Sequence, residues 1–166
     1  MLKNTIKYLS ILLILNLMLI GCTQTTNLYE LTKSEIEIYD KYSNTHDDNV
    51  LMGLQPLTVC KLYIHSGHIQ DYETQYAFYI QDEMYLGWTK EEHMRGFSRK
   101  EKPQMKEEIM GAENLRVYYT QESNKANITW THGDEERDAN GNLFEYHFSL
   151  VKNKDGIWKV KFLPMQ

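Results

Sequence analysis

The alternation of apolar and polar residues in the last third of the chain is the feature that most constrains the fold. Successive side chains of a strand point to opposite faces, so an alternating segment predicts a strand with one apolar face. Four segments show this pattern, with apolar positions at Leu115, Val117 and Tyr119; Ile128 and Trp130; Phe144, Tyr146, Phe148 and Leu150; and Trp158, Val160 and Phe162. Together they predict an antiparallel sheet that is covered on one side.

The connections between these segments predict the strand register. Asn153-Lys154-Asp155-Gly156 suits a three-residue hairpin loop with a glycine bulge, which predicts the pairs Asn153–Ile157, Leu150–Val160 and Phe148–Phe162. A two-residue loop formed by Ser123 and Asn124 predicts the pairs Tyr119–Ile128 and Val117–Trp130. A tight turn at Asn140 and Gly141 would place Glu135 opposite Tyr146, so we interpret residues 133–142 as a long acidic loop.

The middle of the chain carries helix signals instead. Three helix starts are predicted, at Pro56, at Asp71 and at the capping box Thr89-x-x-Glu92, which opens a helix over residues 90–97. Gly67 is predicted to end the first of these helices. Residues 28–54 are ambiguous, because Ile36 and Ile38 alternate as in a strand whereas Thr32-x-x-Glu35 is typical of a helix cap.

The first 21 residues have the layout of a secretory signal peptide. Lys3 and Lys7 precede a run over residues 8–20 that is apolar except for Ser10 and Asn16. These 13 residues would span roughly 20 Å as a helix, which is short of the ~30 Å hydrocarbon core of a bilayer. The sequence therefore favours a cleaved signal over a permanent transmembrane helix.

The end of that segment, Leu19-Ile20-Gly21-Cys22, resembles the lipobox of bacterial lipoproteins. The resemblance implies that diacylglycerol is attached to the Cys22 thiol and that the chain is cut before this residue. Two acyl chains provide the stable membrane anchoring that one chain does not. We expect a lipid-anchored protein on the extracytoplasmic side of the cell membrane, the alternative being an ordinary secretory signal with a chance cysteine.

Charge and cysteine content exclude some functions. The formal net charge is −5 and no basic cluster is present, so we expect no binding to nucleic acid. Cys60 is the only cysteine besides Cys22, so lipidation of Cys22 would leave no pair for an intramolecular disulfide. Cys60 lies in an apolar stretch and is predicted to be a small buried hydrophobic residue.

The order of elements resembles the nuclear-transport-factor-2-like fold. The likeness is carried by Gly53-Leu54-Gln55-Pro56, by Asp71-Tyr72-Glu73 and by the closing hairpin between Phe148 and Val160. It implies an α+β domain in which N-terminal helices pack on a curved antiparallel sheet of four to five strands that forms a cone. The expected organisation is a signal peptide over 1–21, a lipidated cysteine, tether and arm over 22–50, and this domain over 51–166.

A ligand inside such a cone would meet the few inward side chains that can form hydrogen bonds. The predicted ligand-binding residues are His132, Tyr146, Tyr119, Tyr63 and Tyr76. The same tyrosines would equally well fill a solid core with their hydroxyls at its rim, and the sequence leaves both interpretations open.

Two other sets of residues have the composition of a functional site. Glu145, His147 and Ser149 alternate away from the apolar row, so we expect them on the outer face, near Lys159 and Lys161. His65-x-x-His68 has helical spacing, but a helix that ends at Gly67 would separate the two side chains. The sequence therefore predicts neither a metal site nor a cofactor.

The leading functional hypothesis is a non-catalytic, membrane-tethered accessory module. It would bind a partner protein, or a small apolar or amphipathic ligand, at the cell envelope. The alternative is an enzyme with a cone-shaped pocket of the isomerase or dehydratase type, since the fold hosts isomerases, dehydratases, carriers and interaction modules. That alternative needs an inward acid near His132, and none is evident on the predicted strands.

Overall fold

A computed structural model describes residues 27–82, 84–85, 87–97, 109–121, 123–133, 137 and 140–161. The predicted signal peptide, Cys22 and the tether up to residue 26 lie outside the described residues. Within them, helices precede a four-stranded antiparallel sheet, so the predicted α+β class is confirmed.

The elements follow one another in a simple order. The described helices are α1 (Lys33–Thr45), α2 (Pro56–His68), α3 (Tyr72–Ala77) and α4 (Lys90–Phe97), with a short 3-10 helix at Asp48–Leu51. The strands are β1 (Ala112–Tyr119), β2 (Lys125–His132), β3 (Glu145–Lys152) and β4 (Trp158–Val160), and they lie side by side in chain order.

The helices begin where their capping residues predict. The ambiguous N-terminal arm is helical, because Thr32 and Glu35 form a reciprocal capping box at the start of α1. Thr89 and Glu92 do the same at the start of α4. Asp71 accepts a hydrogen bond from the backbone N–H of Thr74 (3.1 Å) and caps α3.

The predicted end of α2 is wrong, since the helix runs through Gly67 to His68. The glycine meets a packing requirement instead: a Cβ at this position would collide with the side-chain amide of Gln75, which is buried in α3. The chain leaves the helix two residues later, where Gln70 adopts a φ of 64°.

The β3–β4 hairpin has the predicted register. Asn153 donates to the carbonyl of Ile157 (2.8 Å), and Leu150 lies opposite Val160. Gly156 has a φ of 77°, as a glycine bulge requires. Phe162, the predicted partner of Phe148, lies outside the described residues.

The predicted β1–β2 register is wrong by two residues. Val117 lies opposite Ile128, and Tyr119 lies opposite Ala126. The loop is longer than predicted, because Thr120 donates its N–H to the carbonyl of Lys125 (3.0 Å). A shift of two residues leaves every side chain on its predicted face, since the side-chain period of a strand is two.

The core lies between α2 and the inner face of the sheet. Its members include Val59, Cys60, Leu62 and Tyr63 from α2; Ile128 and Trp130 from β2; and Leu28, Tyr39, Tyr42 and Leu51 from the N-terminal arm. The arm is thus an integral part of the packing. Burial raises the pKa of the Cys60 thiol, and this residue is the small buried hydrophobic side chain that the sequence predicts.

Candidate functional site

The five predicted ligand-binding residues lie in three separate places. Tyr63 is buried in the core and Tyr76 is partly buried against it, whereas His132 and Tyr146 lie where β2 ends and β3 begins. Tyr119 lies at the opposite end of the sheet, where its hydroxyl donates to the side chain of Gln55 (3.3 Å). Tyr119 therefore does not join the other four in one site.

Three of the four remaining residues, Tyr63, Tyr76 and Tyr146, are connected by aromatic packing. Ring contacts with centroid distances of 4.9–5.8 Å run without interruption through the molecule. We call this series the aromatic row; in order, it comprises Trp88, His93, Tyr79, Tyr63, Phe148, Trp130, Tyr146 and Phe144, with Tyr76 packed against Tyr79 and His93. The row connects α4 to the start of β3.

His93 is a buried member of the aromatic row, between Trp88 and Tyr79, and sequence reasoning missed it. Burial lowers the pKa of the imidazole to about 4, while a hydrogen bond to the Tyr72 backbone acts in the opposite direction. The ring is fully buried and lies edge-on to Trp88 and to Tyr79. Its position could have been found, because the residue before a helix cap often packs on the fourth helical residue; Trp88 and His93 flank the Thr89 cap in this way.

Two tyrosines in the middle of the aromatic row are hydrogen-bonded to each other. The hydroxyls of Tyr63 and Tyr79 are 2.8 Å apart and both residues are buried. Burial raises the pKa of Tyr79 to about 12, and that of Tyr63 rises as well. Because each phenol serves as the partner of the other, Tyr63 is a core residue whose polar group is satisfied inside the protein.

The other end of the row reaches the surface. Tyr146 stacks on Trp130 at 5.8 Å with an interplanar angle of 16°, and Phe144 packs edge-on against Tyr146 at 4.9 Å. Phe144 is 46% exposed, Tyr146 is half-buried, and His132 is half-buried on the same face of β2 as Trp130. We call Trp130, His132, Phe144 and Tyr146 the aromatic end.

The aromatic end presents a partly exposed apolar surface. Trp130 is buried, so the exposed area comes from Phe144 and from the half-buried Tyr146, and a phenol or an imidazole can add a hydrogen bond at its margin. The combination suits an apolar or amphipathic ligand that carries at most a few polar groups. This end contains two of the predicted residues, His132 and Tyr146, and adds Trp130 and Phe144.

Lys159 departs from the predicted outer, solvated position. The side chain is only 2% exposed, and its ammonium group donates to Asp48 (2.6 Å), to the carbonyl of Ala77 (2.7 Å) and to the hydroxyl of Tyr42 (3.1 Å). Strand alternation does place it on the face opposite Trp158, but the N-terminal arm covers that face at this point. Burial lowers the pKa of Lys159, and the contacts with Asp48 oppose this effect.

Other buried polar groups also join the arm to the helices. Lys61 in α2 forms an ion pair with Glu35 in α1 (2.7 Å), and both side chains are largely buried. The hydroxyl of Tyr39 donates to Asp71 (2.8 Å), and burial raises the pKa of this phenol. These groups, together with Lys159, have structural partners that hold the arm in place.

The two histidines of the His65-x-x-His68 motif have separate partners. The Tyr39 ring packs edge-on against His65, and the hydroxyl of Tyr29 hydrogen-bonds to the ring of His68. Among the described residues, no group of three or more His, Cys, Asp or Glu side chains is placed to hold a metal ion. Glu145 and His147 are exposed on the outer face of the sheet, as predicted.

Comparisons with known proteins give no match: no family model, no curated protein and no solved structure matches the chain. None of the helices in the described part of the chain has the length and apolar character needed to cross a bilayer.

Proposed function

We propose that this protein is a non-catalytic binding module, lipid-anchored through Cys22 on the extracytoplasmic side of the cell membrane, which holds a small apolar or amphipathic ligand at the aromatic end. The main support for a binding role is that the aromatic row is exposed to solvent at the aromatic end. Trp130 and Tyr146 form a stacked pair, and Phe144 beside them leaves 46% of its surface open to solvent.

Phe144 is exposed and adjoins the half-buried Tyr146, and adjoining apolar groups at a surface are typical of ligand or partner sites. The half-buried His132 and Tyr146 supply hydrogen-bonding groups beside the apolar surface, as small-ligand sites commonly require. The aromatic end thus combines apolar area with a small number of polar contacts.

The membrane location rests on the sequence of the first 22 residues. The Leu19-Ile20-Gly21-Cys22 motif, preceded by a short apolar run, supports lipidation of Cys22. The resemblance to the nuclear-transport-factor-2-like fold is consistent with the observed order of helices and antiparallel strands and stays part of the proposal.

The non-catalytic role is favoured by how the buried charged groups are used. Lys159, Lys61 and Glu35 form contacts between elements of the fold. An enzyme of the isomerase or dehydratase type would instead place such groups around a bound substrate.

The binding role is tested by a thermal-shift screen of the full chain against water-soluble amphipathic compounds. Compounds that stabilise the protein are then titrated against the His132→Ala and Tyr146→Leu variants. We expect both variants to fold and to bind more weakly, because each loses a polar contact at the aromatic end. The matched control is Tyr118→Leu, which removes an exposed tyrosine from the opposite face of the sheet. Equal weakening in all three variants would contradict the proposed location.

A further inference from the structure

The face of the sheet that points away from the core presents three polar rows. Strand register makes the members of each row direct neighbours: Glu113, Thr131 and Glu145; Arg116, Thr129 and His147; and Tyr118, Asn127 and Ser149. Directly opposed residues on one face have Cβ atoms about 4.5–5.5 Å apart. The register therefore brings a guanidinium, a hydroxyl and an imidazole together in the middle row.

The central residue of each of the other two rows has a hydrogen bond within the sheet. In the first row, Thr131 accepts a hydrogen bond from the side-chain amide of Asn114 (3.0 Å). In the third row, the hydroxyl of Ser149 donates to the side chain of Asn127 (2.7 Å). The polar side chains at the centre of these rows are therefore satisfied within the sheet.

Within the described strands, Thr129, at the centre of the middle row, lacks the kind of hydrogen bond that Thr131 and Asn127 form. It is 5% exposed, and its buried hydroxyl oxygen has no hydrogen-bond partner among the described residues. Buried hydroxyls in native proteins nearly always have a partner, so an unpaired one requires an explanation. A ligand that accepts hydrogen bonds at this position would supply one.

The two neighbours of Thr129 define the chemistry of such a ligand. Arg116 is exposed, and one of its N–H groups donates to the hydroxyl of Tyr118 (3.2 Å). None of the ion pairs in the described part of the chain includes Arg116. Arginine, threonine and histidine can all donate hydrogen bonds, so their common partner is a group with several acceptor oxygens.

We propose that Arg116, Thr129 and His147 form a binding site for a phosphate group. A guanidinium binds phosphate oxygens in a bidentate manner, and the hydroxyl of Thr129 and the imidazole of His147 donate to the remaining oxygens. Glu113 and Glu145, in the adjacent row, reduce the affinity by repulsion. The site is independent of the aromatic end, because Trp130 and Tyr146 lie on the other face of the same strands.

Two sources of the phosphate are distinguished by titrating the full chain with two soluble compounds. Inorganic phosphate represents the free ion, and glycerophosphoglycerol represents the phosphodiester headgroup of an anionic phospholipid. We expect measurable binding of at least one compound by calorimetry. Stronger binding of the diester would identify a lipid headgroup as the source, and stronger binding of the ion would identify free phosphate.

Three variants test the assigned residues. Arg116→Gln and Thr129→Val should each weaken binding by about tenfold or more, as loss of a hydrogen bond to a charged group predicts. Lys154→Gln removes the same charge from the exposed β3–β4 turn and should leave binding unchanged. Thr129→Val also removes an unpaired buried hydroxyl, so its thermal stability should equal or exceed that of the native chain.

Three results would overturn the proposal. One is the absence of binding of either compound at millimolar concentration. Another is equal weakening by Arg116→Gln and Lys154→Gln, which would indicate general charge attraction. The third is unchanged binding in a stabilised Thr129→Val variant, which would show that this hydroxyl is only an unpaired group within the fold.

Discussion

At the scale of single residues, His93 couples stability to pH. The pKa of the imidazole is lowered to about 4 in the folded protein, compared with an ordinary value of 6.5. The unfolded chain therefore binds a proton at a higher pH than the folded chain does. The stabilising contribution of the neutral ring is present above about pH 6.5 and is lost as the pH falls towards 4.

We predict that the free energy of unfolding decreases by roughly 3 kcal/mol over this pH range on account of His93, since one pKa unit corresponds to about 1.4 kcal/mol. Urea unfolding of the native chain and of His93→Phe, at about pH 7 and about pH 4.5, measures the effect. The phenylalanine variant keeps the ring packing and should lose most of this pH dependence. The same pH dependence in both proteins would show that other groups cause it.

Lys159 is the second residue with a large expected effect. Its removal leaves Asp48 and the Ala77 carbonyl without their shared cation. Loss of one partner of a buried pair costs about 3–5 kcal/mol, and the partial exposure of Asp48 reduces the expected value to about 2–3 kcal/mol. We therefore predict this loss for Lys159→Ala in chemical denaturation, whereas Lys161→Ala should stay within about 0.5 kcal/mol. Similar losses from both variants would contradict the different environments of the two lysines.

At the scale of elements, the helices depend on their caps. Thr32 accepts a hydrogen bond from the backbone of Glu35 at the start of α1, and this helix joins the arm to α2. We predict that Thr32→Ala lowers the free energy of unfolding by about 1 kcal/mol. Thr58→Ala, inside α2, has no capping role and should change it by less than about 0.5 kcal/mol. Thermal denaturation of both variants provides the comparison.

Sequence reasoning succeeded where local chemistry determines the element. The caps at Asp71 and Thr89 and the glycine bulge at Gly156 each depend on a few adjacent residues, and each prediction is confirmed. The β1–β2 register was wrong because a shift of two residues preserves the side-chain faces, so the apolar pattern cannot detect it. The alternation of apolar and polar residues therefore does not predict the length of the β1–β2 loop.

The candidate site was predicted only in part for a related reason. Strand alternation placed His132 and Tyr146 on the inner face, and both lie at the aromatic end. It could not show that Tyr63 pairs with Tyr79, because that contact joins a helix to a segment 16 residues away. Similarly, alternation placed Lys159 away from the core, but it could not show that the distant arm covers this side chain.

At the scale of the whole molecule, the arm would link the proposed lipid anchor at Cys22 to the folded domain. Leu28 is almost completely buried, so only a few residues separate Cys22 from the core. This arrangement would hold the domain close to the lipid surface. A fully extended chain reaches at most about 3.3–3.6 Å for each residue, and this sets the upper limit of the distance between residues 22 and 28.

The anchor itself is tested by Cys22→Ser. We predict that this variant carries no lipid label and leaves the membrane fraction once its signal peptide is removed, because the two acyl chains that the lipobox implies would provide the attachment. Metabolic labelling with a fatty acid, followed by fractionation, measures both properties. A processed variant that still sediments with membranes would contradict lipid anchoring through Cys22.

Photo-crosslinking in living cells tests the central claim most directly. The photoreactive analogue p-benzoylphenylalanine is placed at Phe144 in the aromatic end, or at Lys154 in the exposed β3–β4 turn as the control, and the mass of the full chain is measured after irradiation. Ligand binding at the aromatic end predicts an added mass of a small apolar or amphipathic molecule at position 144, absent at position 154 and reduced by Tyr146→Leu. No small-molecule adduct at position 144, or equal adducts at both positions, would contradict it.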